Sequence, residues 1–410
     1  PFYHHVSFGL YPTGAVSFFW VLGPGFSMTV SSQNKIIGKT TMASSYIGIE
    51  KAPCPSISFE EALALKDEQA IIVDTRTPKE YKEGHVVDAI SIALMSDYQR
   101  HIIGKTFKEV SPAAAIKKGW EMFSPLIQDY LAQYNEHKDK TIFVYCWRGG
   151  MRSRIVVNIL NKNGFNAVQI FGGYKRYMND IVWRGLAEFA KHYQPKFIVL
   201  FGNTGTRKTE ILNALETQCF PVVDLEGLAG HRSSVYGGVG LIQKSQKMFS
   251  ALLYHKLESF KECKYIFVEG EAHKVGDIHL PLFIIERINS DVKVLVRATM
   301  ETRIQHLKNE YLKTDDAVGQ LHQATDVVSK YAGKKNADML HQMLYDGDFD
   351  GFTEWLLVNF YDIRYRFNKK GHTYALEVDS DGIEDCCTKL REFYEDIVSR
   401  DIPEKDRWQV

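Results

Sequence analysis

The chain has no surplus of charge of either sign. Lys and Arg together number 50, as do Asp and Glu, so the formal net charge at pH 7 is zero. A protein with this balance has no overall field to attract nucleic acid. Any nucleic-acid partner would therefore have to be bound by a local basic face.

Paired cysteines and long apolar runs are also absent from the sequence. The six cysteines, at positions 54, 146, 219, 263, 386 and 387, form no C-x-x-C pair. We therefore predict neither a metal site nor a disulfide framework, and a reducing cytoplasm fits best. The apolar run at 17–22 is too short to cross a bilayer, so no membrane association is expected.

The length of 410 residues is too great for one ordinary domain. We predict a poorly ordered leader over residues 1–55, a first α/β domain over 56–190 and a second over 191–410. The chain begins with Pro1, and we expect the natural start at Met28 or Met42.

Short apolar runs alternate with helical patterns in both predicted domains, which indicates parallel sheets covered by helices. The predicted strands are 70–74, a short strand ending at Ile92, 141–146, 167–171, 196–201, 220–225, 265–269, 292–296 and 373–378. An amphipathic helix over 384–398 closes the second domain.

One cysteine stands between a predicted strand and a predicted helix. Cys146 follows the strand, and Trp147, Arg148, Gly149, Gly150 and Met151 separate it from Arg152. Unpaired N–H groups at a helix N-terminus and two arginines favour a thiolate and can bind an oxyanion. We predict Cys146, Arg148 and Arg152 as catalytic and the intervening residues as the anion loop. The alternative is a buried structural cysteine.

Arg76 ends the first predicted strand, two residues after Asp74. The carboxyl ends of parallel strands face the ligand crevice, so Arg76 could line the same anion pocket. A salt bridge that holds the loop is an equally good interpretation.

A second anion site follows the predicted strand 196–201. Its residues are Gly202, Asn203, Thr204, Gly205, Thr206, Arg207, Lys208 and Thr209. The pattern is that of a P-loop, except that Arg207 stands where a glycine normally precedes the lysine. We predict a diphosphate-binding loop in which Arg207 either crowds the cradle or contacts the anion.

Further charged residues lie after later strands of the second domain. Those that could contact the ligand are Asp224, Glu226, His231, Arg232, Glu269 and Glu271. Carboxylates at this place hold Mg²⁺ in P-loop proteins, so Mg²⁺ is compatible with the site. Arg297, Arg303 and Lys308 lie where phosphotransferases carry lid arginines. Solvated surface charges are the alternative for all of these residues.

Together these stretches resemble the tRNA 2-selenouridine synthases over about residues 57 to 400. The resemblance is carried by Asp74-Thr-Arg76, Leu94-Met-Ser-Asp97 with Arg100 and Gly104-Lys105, Tyr145-Cys146-Trp-Arg-Gly-Gly-Met-Arg-Ser153, Gly172-Gly-Tyr174-Lys175, Gly202-Asn-Thr-Gly205, Asp224-Leu-Glu-Gly-Leu-Ala229 with His231-Arg232, Val268-Glu269 with Glu271, and Tyr361-Asp362 with Tyr365.

The resemblance implies a cytoplasmic transferase with a rhodanese-like domain followed by a P-loop domain. It implies S-geranylation of a wobble 2-thiouridine in the tRNA anticodon loop by geranyl diphosphate. Selenophosphate then replaces the geranylthio group to give 2-selenouridine. Both cosubstrates are phosphoanions, which agrees with two anion loops, and no tightly bound cofactor is expected. The oligomeric state is not predicted.

Two positions depart from the family pattern. Arg207 replaces the P-loop glycine, and Gly270 stands where the family tends to have a second acid. Both lie in the P-loop half. The competing hypotheses are a sulfurtransferase or phosphatase on the rhodanese fold with a degenerate P-loop, and a non-catalytic tRNA-binding protein.

Overall fold

The computed structural model describes residues 46, 48–66, 69–271, 273–364 and 373–400. The first parallel sheet is formed by strands that lie before residue 171 in the chain. Its strands are β1 (Ser56–Ile57), β2 (Ala70–Asp74), β3 (Ile90–Ser91), β4 (Thr141–Tyr145) and β5 (Asn166–Ile170). They pair in the order β1-β5-β4-β2-β3, and every pair is parallel.

Seven helices surround this sheet in the described part of the chain, and three of them begin at a capping box. The helices are α1 (Phe59–Ala64), α2 (Pro78–Glu83), α3 (Asp97–Glu109), α4 (Pro112–Phe123), α5 (Ile127–Ala132), α6 (Met151–Lys162) and α7 (Gly173–Arg176). Ser58, Thr77 and Ser96 each form a capping box with the residue three positions on. Each box satisfies two backbone N–H groups that the helix itself leaves unpaired. A π-helical stretch, Tyr177–Trp183, leads into α8 (Arg184–His192).

The second sheet has the order β12-β11-β6-β8-β7, again with only parallel pairs. Its strands are β6 (Lys196–Phe201), β7 (Val222–Val223), β8 (Tyr265–Glu269), β11 (Val292–Arg297) and β12 (Leu376–Asp379). A small antiparallel hairpin, β9 (Lys274–Val275) with β10 (Ile278–His279), lies between β8 and β11 in the chain.

Helices cover this sheet and extend beyond it as a helical group. They are α9 (Lys208–Thr217), α10 (Leu225–Ala229), α11 (Gln246–Ser259), α12 (Leu282–Ser290), α13 (Met300–Tyr311), α14 (Ala317–Ala332), α15 (Lys334–Asp346), α16 (Phe349–Leu356), a π-helical stretch Leu357–Tyr361, α17 (Asp362–Arg364) and α18 (Ile383–Arg400). The residues from α13 to the π-helical stretch surround a separate core that includes Leu340 and Phe352.

The two sheets share one buried core, which joins the two halves of the chain. Phe59 and Tyr177 from the first half belong to the same cluster as Phe197 and Phe249 from the second. At this junction the Tyr177 hydroxyl lies 2.8 Å from Nε2 of His255 on α11. From Gly48 onward the described chain is one compact unit. The carboxyl ends of β4 and β6 therefore belong to the same unit.

The predicted fold class is confirmed, with two parallel sheets in sequence and a closing helix. Strands 70–74, 196–201 and 265–269 have the predicted bounds. Neither β1 nor the β9–β10 hairpin is among the predicted strands. The predicted leader up to residue 45, the expected starts at Met28 and Met42, and Tyr365 lie outside the described residues. The domain boundaries at 56 and 190 stay predictions.

Candidate functional site

Cys146 follows β4 directly, and its sulfur contacts the loop that leads into α6. The residue is 4% exposed. Its Sγ accepts hydrogen bonds from the Gly150 N–H at 3.3 Å and from the Ser153 hydroxyl at 3.3 Å. Donors aimed at sulfur stabilise a thiolate. This arrangement suits an anionic nucleophile better than an inert buried thiol.

The backbone of this loop docks onto the Gly172-Gly173 turn. The carbonyl oxygens of Cys146 and Trp147 accept the N–H groups of Tyr174 and Lys175, both at 2.9 Å. A side chain at Gly173 would lie 2.3 Å from the Cys146 carbonyl, so only glycine permits this approach. These contacts turn loop carbonyls outward, which leaves room for N–H groups to face a bound anion.

The two predicted catalytic arginines differ in environment. Arg148 is exposed, with its charge open to solvent. Arg152 is engaged by Glu80 through Nη1–Oε2 and Nη2–Oε1 distances of 2.7 and 3.2 Å. Burial acts to raise the pKa of Glu80, but the bonds and charge of Arg152 outweigh it and hold the pKa below its usual value. An anion in the loop would therefore compete with a charged Glu80 for Arg152.

Arg76 lies in the buried salt bridge of the alternative interpretation, with Asp74 as its partner. Arg76 is 1% exposed. Its Nη2 lies 2.6 Å from Oδ2 of Asp74 and 2.6 Å from the Gly84 carbonyl. Its guanidinium stacks 4.0 Å from the centre of the Tyr174 ring. Arg76 holds the first half together rather than facing a ligand.

Ser153 and Gln169 contact the loop although neither was predicted as a site residue. Gln169 on β5 donates from Nε2 to the carbonyls of Gly149 and Gly150 and to Ser153 Oγ. A polar residue in the middle of an otherwise buried strand was the signal available for Gln169. For Ser153 the signal was its place in the first turn of α6, directly after Arg152.

The second loop lies between β6 and α9 and keeps the shape of a P-loop. Lys208 opens the helix, and its Nζ donates to the carbonyl oxygens of Gly202 at 3.0 Å and Asn203 at 3.5 Å. The Thr206 hydroxyl donates to the Asn203 carbonyl at 2.9 Å. The lysine thus folds back over the loop, from where its charge can reach an anion held by the loop N–H groups.

Arg207 has a left-handed backbone, with φ of 60° and ψ of 23°. That is the conformation in which glycine is favoured, so the backbone course of the motif survives the substitution. The guanidinium contacts groups outside the loop. It lies 2.7 Å from Glu210 Oε1 and donates to the Ser380 and Asp381 carbonyls at 3.0 and 3.3 Å. These partners favour neither crowding of the cradle nor direct contact with an anion.

We expect Arg207→Gly to change the affinity for geranyl diphosphate by less than about threefold. Glycine relieves a left-handed strain of about 1–2 kcal/mol. The lost ion pair with Glu210 contributes up to about 1 kcal/mol. Calorimetry on wild type and variant side by side checks this. A loss of tenfold or more would show that the guanidinium leaves Glu210 and contacts the diphosphate.

Four predicted carboxylates gather behind this loop. Glu226 Oε2 accepts from the Thr209 hydroxyl at 3.3 Å, and Glu269 Oε1 accepts from the Glu226 N–H at 2.7 Å. Burial and the charge of Glu271 raise the pKa of Glu226 to about 8. Burial, followed by the charge of Asp224, raises the pKa of Glu269 well above its usual value. The cluster therefore holds protons at neutral pH.

The raised pKa of Glu226 predicts a pH-dependent stability. The folded state retains a proton that the unfolded state has released, so the free energy of unfolding falls as pH rises from about 4.5 through about 8. We expect Glu226→Gln to be more stable than wild type at pH 8 by up to about 4 kcal/mol, since each pH unit between the two pKa values contributes about 1.4 kcal/mol, and nearly equal to it near pH 4.5. Urea unfolding at both pH values measures this. Equal differences at the two pH values would contradict it.

Arg232 and Arg303 lie near the loop but are held by neighbours. Arg232 pairs with Glu310 at 2.9 Å. Arg303 pairs with Asp362 at 2.6 Å and donates from Nε to the Thr204 carbonyl, so it braces the loop rather than acting as a free lid residue. Burial lowers the pKa of His231, which favours the neutral imidazole. Arg297 pairs with Glu377 and Lys308 with Asp350, both on the surface.

A cavity of about 1470 Å³ opens over the P-loop. Its polar wall includes Thr206, Lys208 and Thr209. A second part of its lining is apolar and contains Ile285 and Ile288. This volume is far larger than a diphosphate alone needs. No residue of the Cys146 loop is among the described residues that line the cavity, so the two loops form separate sites.

Two family models match the two halves of the chain. The first is a rhodanese-like domain over residues 58–180, and the second is the tRNA 2-selenouridine synthase AAA domain over 195–394. A tRNA 2-selenouridine synthase from Nitrosomonas europaea is 30% identical over 284 residues, 68% of this chain and 72% of the relative. The chain belongs to the tRNA 2-selenouridine synthase family.

Other members of the family match over similar lengths. A tRNA 2-selenouridine synthase from Sulfurovum sp. is 28% identical, covering 72% of this chain and 88% of the relative. That from Shewanella woodyi is 30% identical, covering 72% and 87%. Membership in this family makes the chain an enzyme of tRNA modification. No helix among the described residues is both long and apolar enough to span a membrane.

Proposed function

We propose that this protein converts wobble 2-thiouridine in tRNA to 2-selenouridine by way of an S-geranylated intermediate. In the first step the sulfur forms a bond to the geranyl carbon, the carbon–oxygen bond breaks and diphosphate leaves. In the second step selenium of selenophosphate forms a bond to C2 of the base and geranylthiolate leaves, after which water cleaves the selenium–phosphorus bond and phosphate is released. The observation that carries the proposal is that one compact unit holds two separate anion loops, one with a cysteine and one with a P-loop lysine.

The Cys146 loop is the proposed site for selenophosphate. Its sulfur has two hydrogen-bond donors at 3.3 Å, and Arg148 is open to solvent beside it. A phosphoryl group bound by the loop N–H groups would bring selenium next to this sulfur. Arg148 and Arg152, with Trp147, Gly149, Gly150 and Met151 in the loop, are the proposed contacts.

The P-loop cavity is the proposed site for geranyl diphosphate. A diphosphate leaving group gathers negative charge, which Lys208 and the loop N–H groups from 202 to 209 would stabilise. If Mg²⁺ takes part, the oxygens of Thr209 and Glu226 fit it, since Mg²⁺ prefers one or two carboxylates together with substrate phosphates. The ion would neutralise charge on the diphosphate.

The apolar part of the same cavity suits an isoprenoid chain. Ile285 and Ile288 lie one turn apart on α12 and are 8% and 1% exposed. Asn289 also lines this part, but its Nδ2 donates to the Ile285 carbonyl at 2.7 Å. That amide is turned to its own helix, so the wall has little with which to bind the polar edge of a nucleotide base.

The direct test is mass spectrometry of nucleosides after the protein is mixed with 2-thiouridine tRNA, geranyl diphosphate and selenophosphate. We expect geranylthiouridine when selenophosphate is omitted and selenouridine when all components are present. Selenouridine formed at the same rate without geranyl diphosphate would overturn the two-step route. No modified nucleoside under any condition would favour the phosphatase or the non-catalytic tRNA-binding alternative.

Filling the apolar part should weaken binding of the prenyl chain but not of the diphosphate. We expect Ile285→Phe to reduce geranyl diphosphate affinity by roughly tenfold while inorganic diphosphate binds as in wild type, because added volume in a packed site costs about 1–3 kcal/mol. Leu282→Phe is the matched control, since Leu282 is on the same helix and 67% exposed. Calorimetry with geranyl diphosphate and with inorganic diphosphate measures the two affinities. An equal loss of affinity for both ligands would mean that the prenyl chain does not bind in the apolar part of the cavity.

A further inference from the structure

Gln169 joins three groups of the Cys146 loop through one buried amide. It lies on β5 and is 4% exposed. Its Nε2 carries two hydrogens and lies 2.7 Å from Ser153 Oγ, 2.9 Å from the Gly150 carbonyl and 3.0 Å from the Gly149 carbonyl, so the two carbonyls share one hydrogen. On its other side, Oε1 accepts from the Cys54 thiol at 3.2 Å. The opposite orientation would place Oε1 against two carbonyl oxygens, which cannot donate. The amide therefore has one favourable direction.

That direction determines where the Ser153 proton goes. A hydroxyl has one proton, and Ser153 Oγ already accepts from Gln169, so its own proton remains free to donate. Two acceptors lie within reach, Cys146 Sγ at 3.3 Å and the Gly150 carbonyl at 3.3 Å. An ionised sulfur accepts more strongly than a neutral carbonyl oxygen, and the Gly150 carbonyl already shares a donor hydrogen of Gln169. The proton is thus directed to the sulfur.

We propose that Gln169 is a positioning residue that orients the Ser153 hydroxyl toward Cys146, so that this hydroxyl and the Gly150 N–H together stabilise the thiolate. Gln169 acts on the sulfur only through Ser153. Cys54 fixes the acceptor side of the amide. The inference concerns the thiol itself and holds for whatever substrate the loop binds.

The test measures thiolate formation at Cys146 in the full chain as a function of pH. Ultraviolet thiolate absorbance is recorded for each variant and referenced to the same variant carrying Cys146→Ser. We expect Ser153→Ala to move the midpoint up by about one pH unit, a tenfold change that suits loss of one hydrogen bond to an ion. Ser153→Thr, which keeps the hydroxyl, should have the same midpoint as wild type.

Gln169→Glu tests the direction of the proton. The introduced carboxylate can only accept, so it takes the Ser153 proton away from the sulfur. We expect an upward shift at least as large as that of Ser153→Ala, because the carboxylate accepts the Ser153 proton and its negative charge also opposes the thiolate. Gln133→Glu, the same change at an exposed site in this half of the chain, should leave the midpoint unchanged.

Gln169→Met covers the case in which the glutamate variant fails to fold. It lacks the amide that donates to Ser153 Oγ, so the Ser153 proton can turn to the Gly150 carbonyl and the midpoint should again rise. Combined with Ser153→Ala, this uncharged change should give no further shift, because both remove the same bond. Melting curves establish that each variant is folded. A wild-type midpoint in Ser153→Ala, or shifts that add in full in the double variant, would overturn the proposal.

Discussion

We expect Cys146→Ser to lose selenium transfer by at least roughly a hundredfold while still forming the geranylated intermediate. Serine fits the position, because its hydroxyl can accept from the Gly150 N–H and Ser153 as the sulfur does. A hydroxyl, however, does not ionise near neutral pH and is a weak nucleophile. The fold should survive, and the second step alone should fail.

The measurement is the rate of selenouridine formation from pre-geranylated tRNA, beside the rate of geranylation from 2-thiouridine tRNA. Cys219→Ser is the matched control, since Cys219 is an exposed cysteine in the other half of the chain. It should leave both rates unchanged. Selenouridine formed by the Cys146→Ser variant at the wild-type rate would show that the thiolate takes no part in the chemistry.

The positions of the two loops could be predicted because each follows a strong local signal. β4 and β6 are continuous apolar runs, and such runs in an alternating chain become buried parallel strands. Cys146 and Lys208 stand just beyond their carboxyl ends. In a parallel sheet that edge carries the ligand site, so strand recognition alone locates both candidate sites.

The partners of the arginines could not be predicted, because they are set by tertiary packing. Arg152 pairs with Glu80, 72 positions earlier in the chain. Arg76 pairs with Asp74 only two positions away, yet the sequence does not show whether that pair faces inward or toward a ligand. The burial of both side chains shows that the pair faces inward. Charge at a strand end is thus a weaker signal than the strand end itself.

Arg207 has one contact that sequence spacing predicts and two contacts that are set by tertiary packing. Glu210 lies three positions on, one helical turn away, and such a pair can be expected from spacing. The carbonyls of Ser380 and Asp381 are more than 170 positions away and appear only in the fold. The neighbourhood of β12 therefore accounts for an arginine at a position where the motif has glycine.

We expect Lys208→Ala to slow geranylation by roughly a hundred- to a thousandfold and to leave the second step nearly intact. Lys208 is the cation that opens α9, and its Nζ reaches over the loop to the Gly202 carbonyl. Removal of one group that stabilises developing charge in a closed site costs about that much in rate. The diphosphate leaves in the first step only, so the defect should be confined to it.

Pre-geranylated tRNA separates this role of Lys208 from a structural one. Supplied with that intermediate and selenophosphate, the Lys208→Ala variant should make selenouridine at close to the wild-type rate. Lys274→Ala removes a second positive charge from the lining of the same cavity and should slow geranylation by less than about threefold, since its exposed side chain is screened by solvent. Equal slowing of both steps in Lys208→Ala would mean that the P-loop serves the whole reaction. Equal slowing of geranylation by the two lysine variants would mean that the cavity's net charge matters, and the placement of Lys208 does not.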